Sequence, residues 1–220
     1  GTDARNTIHR AQAIALLVIG TSGSKAAPAF GKLLQGVSVA VNDNGLSLSF
    51  SFVSDPSHLP SRVEEGHVDG LLLHGERPGP SVQSALMKLP TVWLMANRQR
   101  PLWGDQVLPD SPTIGEMAAK YLIRRGHRHV AYLGRSGSWS MGLRADSFRH
   151  AAADAGVDAR IFEASERPSP DFWRGDGLPA AANHLVGQLL AADPVPTGLF
   201  IAEDRLLPAV DLALRTRGGG

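Results

Sequence analysis

Cysteine is absent from this chain of 220 residues, which excludes disulfide bonds and thiolate metal sites and fits a cytoplasmic protein. Apolar runs of the roughly 18 residues that a membrane-spanning helix needs are also absent, so we expect no contact with a membrane. The chain carries little excess charge. Its formal net charge of +1 gives no electrostatic reason to expect nucleic-acid binding by this segment.

The composition is that of an ordinary globular protein, with 43% hydrophobic and 20% charged residues. This length allows one large or two small domains. The first apolar run, Ala13–Ile19, is short for the core of a signal peptide and is followed by no small-residue cleavage site. We therefore interpret it as a first β-strand, preceded by a leader or linker at residues 1–12.

Short apolar runs alternate with amphipathic segments of helical length along the whole chain, which favours parallel sheets with right-handed crossovers. The run at 46–52 alternates leucine or phenylalanine with serine, which indicates a strand near a sheet edge. The predicted strands are 13–19, 46–52, 70–73, 91–95, 106–108, 130–133, 160–163 and 198–202. The predicted helices are 28–44, 80–88, 112–125, 141–155, 178–191 and 205–217, with a weak helix within 56–67.

The stretch 110–134, DSPTIGEMAAKYLIRRGHRHVAYLG, reads as one helix followed by one strand. Either Ser111 or Thr113 could cap the helix, and Gly126 ends it. The helical spacing predicts a buried face formed by Ile114, Met117, Ala118, Tyr121 and Leu122. A single doubly wound domain is the simplest interpretation, but this unit starts a fresh series of elements. We therefore expect a division near 108–112, with lobes at 13–109 and 110–220.

Ligands of open parallel sheets bind at the carboxyl ends of the strands. This rule selects polar residues that directly follow the predicted strands. The candidate set is Thr21–Lys25, His74–Glu76, Asn97, Arg98, Asp110, Arg135–Arg144, Asp171–Trp173, Glu203 and Asp204.

The segment YLIRRGHRHVAYLG, with Asp110 and Gly115 before it, resembles the start of the second lobe in lactose-repressor (LacI/GalR-type) regulators. The resemblance implies an α/β fold of the periplasmic binding protein-like type I, with two doubly wound parallel-sheet lobes joined by a hinge. It also implies a homodimer, with the helix at 28–44 lining the dimer interface. Operator DNA would be bound through a helix-turn-helix that is not in this chain, and the second lobe would be incomplete.

The resemblance assigns roles to particular residues of the candidate set. Asn97 and Arg98 occupy the position where the family usually has Asp-Arg. Glu203 and Asp204 occupy the position of the family's common Asn-Asp. Arg144, four residues before Phe148, matches the arginine of an R-x-x-G-F motif, with Ser147 in place of the glycine. The expected ligand-binding residues are Thr21, Ser22, Asn97, Arg98, Asp110, Trp139, Arg144, Trp173 and Glu203.

These residues suit a sugar or nucleoside-like effector, because Arg144 offers a rigid fork of donors, Asp110 only accepts, and Trp173 provides a flat apolar face. Each also has a structural alternative. Asp110 could cap a helix, Arg144 could be solvated, and Trp173 could be a core or surface aromatic. Trp93 is expected in the core and Trp103 in an exposed loop.

The predicted function is the effector-sensing core of a LacI-type transcriptional regulator, with the ligand held between two lobes. The alternative is an exported solute-binding protein of the same fold that binds a sugar. An enzyme is not expected, because the sequence contains neither a G-x-S-x-G elbow nor a dinucleotide fingerprint. Gly20–Lys25 is not a phosphate loop, because Ala26 follows the lysine. We expect no cofactor and no metal.

Overall fold

The computed structural model describes residues 12–20, 28–96, 98–164 and 177–217. The chain forms two compact units, Gly1–Leu108 and Pro109–Gly220. Within the described residues, the first unit contains a five-stranded sheet and the second a three-stranded sheet. Every strand pair in both sheets is parallel, which confirms the predicted α/β class.

The first sheet has the strand order β2-β1-β3-β4-β5. Its core contains the completely buried side chains of Leu73, Leu86 and Trp93. As the alternating sequence predicted, β2 lies at the sheet edge. In chain order the elements are β1 (Ala13–Ile19), α1 (Pro28–Asp43), β2 (Ser47–Val53), α2 (Ser61–Glu64), β3 (Gly70–Gly75), α3 (Pro80–Leu86), β4 (Thr91–Leu94) and β5 (Asp105–Val107).

The second sheet has the order β7-β6-β8 and is covered on both faces. One face carries an aromatic cluster in which Phe200 lies 5.6 Å from Tyr132 and 5.7 Å from Phe148 between ring centroids. The other face packs against α6 and α7. In chain order the elements are α4 (Ser111–Arg124), β6 (His129–Arg135), α5 (Trp139–Asp154), β7 (Asp158–Ala164), α6 (Gly177–Leu190), β8 (Gly198–Ile201), a 3₁₀ turn (Asp204–Leu206) and α7 (Leu207–Arg217).

The predicted buried face of α4 is confirmed at Ala118 and Leu122, which pack partly buried against the core, and is wrong at Met117 and Tyr121. Met117 and Tyr121 are 63% and 52% exposed, and the most buried residues of the helix are Ser111, Gly115 and Ala119. These three small residues recur every four positions, so they share one helical face and allow a close approach to α5. A Cβ atom at Gly115 would lie 2.2 Å from the carbonyl oxygen of Arg144. The closest contact of α4 is therefore made by its small residues, and the exposed Met117 and Tyr121 lie away from it.

Across the described ranges, no helix combines the length and the apolar character that crossing a membrane requires.

Candidate functional site

Several predicted ligand-binding residues lie outside the described part of the chain. These are Thr21, Ser22, Asn97 and Trp173. The structure brings together a group of polar residues at the carboxyl edge of the second sheet, and it places Arg98 in the first unit.

Arg144 is a donor at this edge of the second sheet that two other elements hold in place. Its Nε donates to Oγ of Ser111 at 3.3 Å, and its Nη1 donates to the carbonyl oxygen of Ala202 at 3.0 Å. Ser111 is the first residue of α4, and Ala202 directly follows β8. Among the described residues, nothing accepts a hydrogen bond from Nη2. The guanidinium is therefore held in place by two elements and still presents donors to a ligand.

Glu203 forms an ion pair with Arg135 beside this site. The Arg135 Nη2 and Glu203 Oε1 atoms lie 2.9 Å apart, and the two side chains are 24% and 7% exposed. The other carboxylate oxygen of Glu203, Oε2, is buried and accepts no hydrogen bond from any described residue. A buried acceptor in this state is stabilised by an O–H or N–H group from a ligand.

Sequence reasoning placed both residues in the candidate set but missed that they pair. Arg135 is the last residue of β6, and Glu203 follows β8, which is the neighbouring strand in the sheet. The signal was available in principle, because the carboxyl ends of neighbouring parallel strands meet at one edge. It required the strand order, which the sequence alone does not provide.

Tyr132 on β6 contacts the first turn of α5. It is completely buried, and its hydroxyl donates to the carbonyl oxygen of Met141 at 3.2 Å. Burial, followed by the negative charge of Glu163, raises the pKa of Tyr132 well above its usual value. The hydroxyl therefore remains a donor across the physiological pH range, and it fixes the turn of α5 that precedes Arg144.

Asp110 caps α4. Its carboxylate accepts from the backbone N–H of Thr113 at 3.1 Å and from the Thr113 hydroxyl at 2.7 Å. The prediction that Ser111 or Thr113 would be the cap is wrong, because the Ser111 hydroxyl is engaged by Arg144 and the Thr113 hydroxyl is a donor to Asp110. The structural alternative for Asp110 is thus confirmed, while its contact with a ligand stays a prediction.

Replacing Asp110 with alanine is expected to lower the thermal midpoint at pH 7, because the helix loses this cap. The hydrogen bond from the Thr113 side chain, and then that from its backbone, lowers the pKa of Asp110 in the folded protein. Such a carboxylate stabilises the fold above its unfolded pKa of about 3.9, and this contribution is lost as the pH falls through the lower folded value.

The difference in midpoint between the wild type and Asp110→Ala should therefore shrink below about pH 4, measured by circular dichroism melts across the pH range. Asp110→Asn is the control, since its amide oxygen still accepts from Thr113 and it should lose less at pH 7. A difference that stays constant with pH would contradict a charge-dependent cap.

Trp139 is the first residue of α5 and is half-buried. Its role as a ligand-stacking residue stays a prediction.

Arg98 lies in the first unit, in the segment that follows β4. Its guanidinium carbon is 4.5 Å from the ring centroid of Trp93, and its Nη2 donates to the carbonyl oxygen of Gly75 at 3.1 Å. Trp93 is in the core as predicted. Trp103 is not an exposed loop residue, because it is partly buried and packs edge-on against Trp93 at 5.0 Å between ring centroids.

Comparison with known proteins finds transcriptional regulators. Residues 119–219 match the family described as the periplasmic binding protein-like domain. The HTH-type transcriptional repressor PurR of Erwinia tasmaniensis is 26% identical over 191 residues, which cover 82% of this chain and 53% of PurR. The chain spans about half, or less, of the length of the first curated relatives that it matches.

Solved structures of transcriptional regulators have the same fold as this chain. A LacI family transcriptional regulator from Bifidobacterium animalis superposes with a TM-score of 0.65 at 19% identity, covering 95% of this chain and 73% of that one. The Cra transcriptional dual regulator of Pseudomonas putida, solved in complex with fructose 1-phosphate, gives a TM-score of 0.64 at 17% identity, with 94% and 75% covered. These relatives are regulators and not enzymes. The chain is therefore similar to LacI-type transcriptional regulators, and it has the fold of a periplasmic binding protein-like domain.

Proposed function

We propose that this chain senses a small polar effector, a sugar or a nucleoside-like molecule, and thereby controls the binding of a cytoplasmic regulator to operator DNA. The observation that carries the proposal is Arg144. It is anchored by Ser111 and Ala202 and keeps the Nη2 amino group available at the carboxyl edge of the second sheet. A ligand hydroxyl or ring heteroatom could accept from this group.

Glu203 complements Arg144 in this proposal. Its buried Oε2 atom needs a donor, whereas Arg144 needs an acceptor. A hydroxyl group satisfies both requirements, because it donates one hydrogen bond and accepts others. The two side chains together therefore favour a ligand rich in hydroxyl groups over a purely apolar one.

The regulatory part of the proposal follows the family. The effector would favour one of two states of a homodimer, and the operator would be bound by a helix-turn-helix outside this chain. An effector shifts such an equilibrium only by the difference between its affinities for the two states, typically about 1–3 kcal/mol. The Cra relative, whose structure contains fructose 1-phosphate, supports a sugar-type effector here.

Replacing Arg144 with alanine is expected to weaken effector binding about 10- to 100-fold, because each hydrogen bond to a charged group contributes about 1.5–3 kcal/mol. Calorimetric titration of the 220-residue chain with a panel of sugars and nucleosides measures this loss. Arg144→Lys keeps the charge but not the planar fork, so it should recover only part of the affinity.

Arg149→Ala is the matched control. Arg149 lies on the same helix, is 52% exposed, and pairs only with Asp146 at 3.4 Å among the described residues. Its removal should leave effector affinity unchanged. Tight binding that survives in Arg144→Ala would remove Arg144 from the anchoring role and would contradict the proposed site.

A further inference from the structure

Four buried polar atoms of the first unit have no hydrogen-bond partner among the described residues. They are Nε1 of Trp93, Nε1 of Trp103, Nη1 of Arg98 and Oε1 of Gln106. Buried polar groups are normally paired with protein, water or a ligand, because an unpaired one costs about 1–3 kcal/mol. Four such atoms on neighbouring side chains are therefore candidates for contact with a ligand.

The four side chains form one group, which we term the Trp93 cluster. Trp93 lies on β4 and is completely buried, with the Arg98 guanidinium over its ring and Trp103 edge-on to it. Gln106 on β5 is the register partner of Trp93. The Gln106 Nε2 atom donates to the carbonyl oxygen of Gln99 at 3.0 Å, which fixes the amide and leaves its oxygen unpaired.

The charges in this region favour an anion. Within the described ranges, neither Arg98 nor Arg77 forms an ion pair with a carboxylate. Burial, followed by the nearby charge of Arg77, lowers the pKa of Arg98. A partly desolvated guanidinium beside a second cation is stabilised by a negative group that accepts its hydrogen bonds.

We propose that the Trp93 cluster binds an oxyanion, a carboxylate or phosphate group carried by the effector. Arg98 Nη1 is the charged donor, and the indole N–H groups of Trp93 and Trp103 are the neutral donors. The Gln106 oxygen accepts from a hydroxyl of the same ligand. The inference rests on the proposed function and narrows it, because it makes the effector an acidic polyol and not a neutral one.

The first test uses the bare anions and the unmodified 220-residue chain. Inorganic phosphate and acetate are titrated while the indole ¹H–¹⁵N resonances are recorded, with Trp93→Phe and Trp103→Phe used to assign them. Both resonances should shift, whereas sodium chloride at equal ionic strength should leave them in place. Indole resonances that do not shift with either anion would overturn the proposal. The effector titrations of the Arg144 variants test the proposed function separately, and this result would not change their outcome.

The second test removes the charge. Arg98→Gln should weaken the anion response about tenfold or more, because the charged donor is lost. Arg100→Gln is the matched control, since Arg100 is exposed, lies two residues away and carries the same charge. Equal responses in the two variants would contradict a role for Arg98. If Arg98→Gln fails to fold, the anion response of Arg98→Lys and that of the unmodified chain still test whether Arg98 takes part in anion binding.

The third test asks where the oxyanion comes from, using fructose 1-phosphate, fructose and inorganic phosphate as probes. If the effector carries the anion, the phosphorylated sugar should shift both indole resonances at a concentration at least about tenfold lower than phosphate alone. Fructose alone should act more weakly than either. Equal responses to the phosphorylated sugar and to free phosphate would assign the cluster to free phosphate and contradict the acidic-effector class.

Discussion

Replacing Gly115 with alanine should destabilise the second unit by about 3 kcal/mol, although the same change stabilises most helices. The added Cβ would lie 2.2 Å from the carbonyl oxygen of Arg144 and 2.3 Å from Oγ of Ser147. The first of these is a backbone atom of α5, so it cannot turn aside. The two helices would have to separate, and the packing between them would be lost.

Denaturant unfolding at equilibrium measures this loss. Gly142→Ala is the control, because a Cβ at this position of α5 meets nothing within 4 Å. It should instead stabilise by about 0.5–1 kcal/mol through the lower entropy of the unfolded chain. Equal stabilities for the wild type and Gly115→Ala would show that the two helices do not pack as closely as described.

Gly115→Ala should also weaken effector binding, because it disturbs the anchoring of Arg144. The displaced carbonyl belongs to Arg144 itself, and the Ser111 hydroxyl that holds its Nε lies one helical turn before Gly115. A shift of either helix would misplace the guanidinium. Calorimetry on the fraction that remains folded should therefore show reduced affinity, whereas Gly142→Ala should bind as the wild type does.

Replacing Glu203 with alanine should have the second large effect: we expect the free energy of unfolding to fall by about 3 kcal/mol. The change removes the carboxylate that lies 2.9 Å from Arg135, and it deprives a partly buried guanidinium of this ion pair. The value is at the lower end for a broken buried pair because Arg135 is 24% exposed and can gain some hydration.

A double-mutant cycle tests the origin of this loss. Arg135→Met removes the guanidinium that lost its ion pair with Glu203, so Glu203→Ala combined with Arg135→Met should recover part of the lost stability. Asp146→Ala is the control on an exposed ion pair, and it should cost well under about 1 kcal/mol. If the double variant is no more stable than Glu203→Ala, the loss comes from packing and not from the charge.

The strands and helices were largely predictable because their signals are local. The alternating run at 46–52 indicated an edge strand, and β2 is one. The apolar run at Ala13–Ile19 indicated a buried strand, and β1 is almost fully buried. Apolar residues repeat every two positions in a strand and every 3.6 positions in a helix, and this repeat can be recognised within a window of about ten positions.

The site was predictable only as a set of positions. The rule that ligands bind at the carboxyl ends of strands selected Arg144 and Glu203, and the resemblance to LacI-type regulators gave them roles. The rule could not say that Glu203 pairs with Arg135 or that Trp103 packs on Trp93. Each of these contacts depends on a rotamer and on a neighbour that only the fold supplies.

By itself, the sequence determined the alternation of strands and helices, and through the segment YLIRRGHRHVAYLG it indicated the family. These properties depend on residues that are close together in the chain. Only the tertiary structure decided which face of α4 is buried, because Ser111, Gly115 and Ala119 are selected by the space that α5 leaves. It also decided the ion pair at Glu203, since the order of the strands sets which of their ends lie side by side.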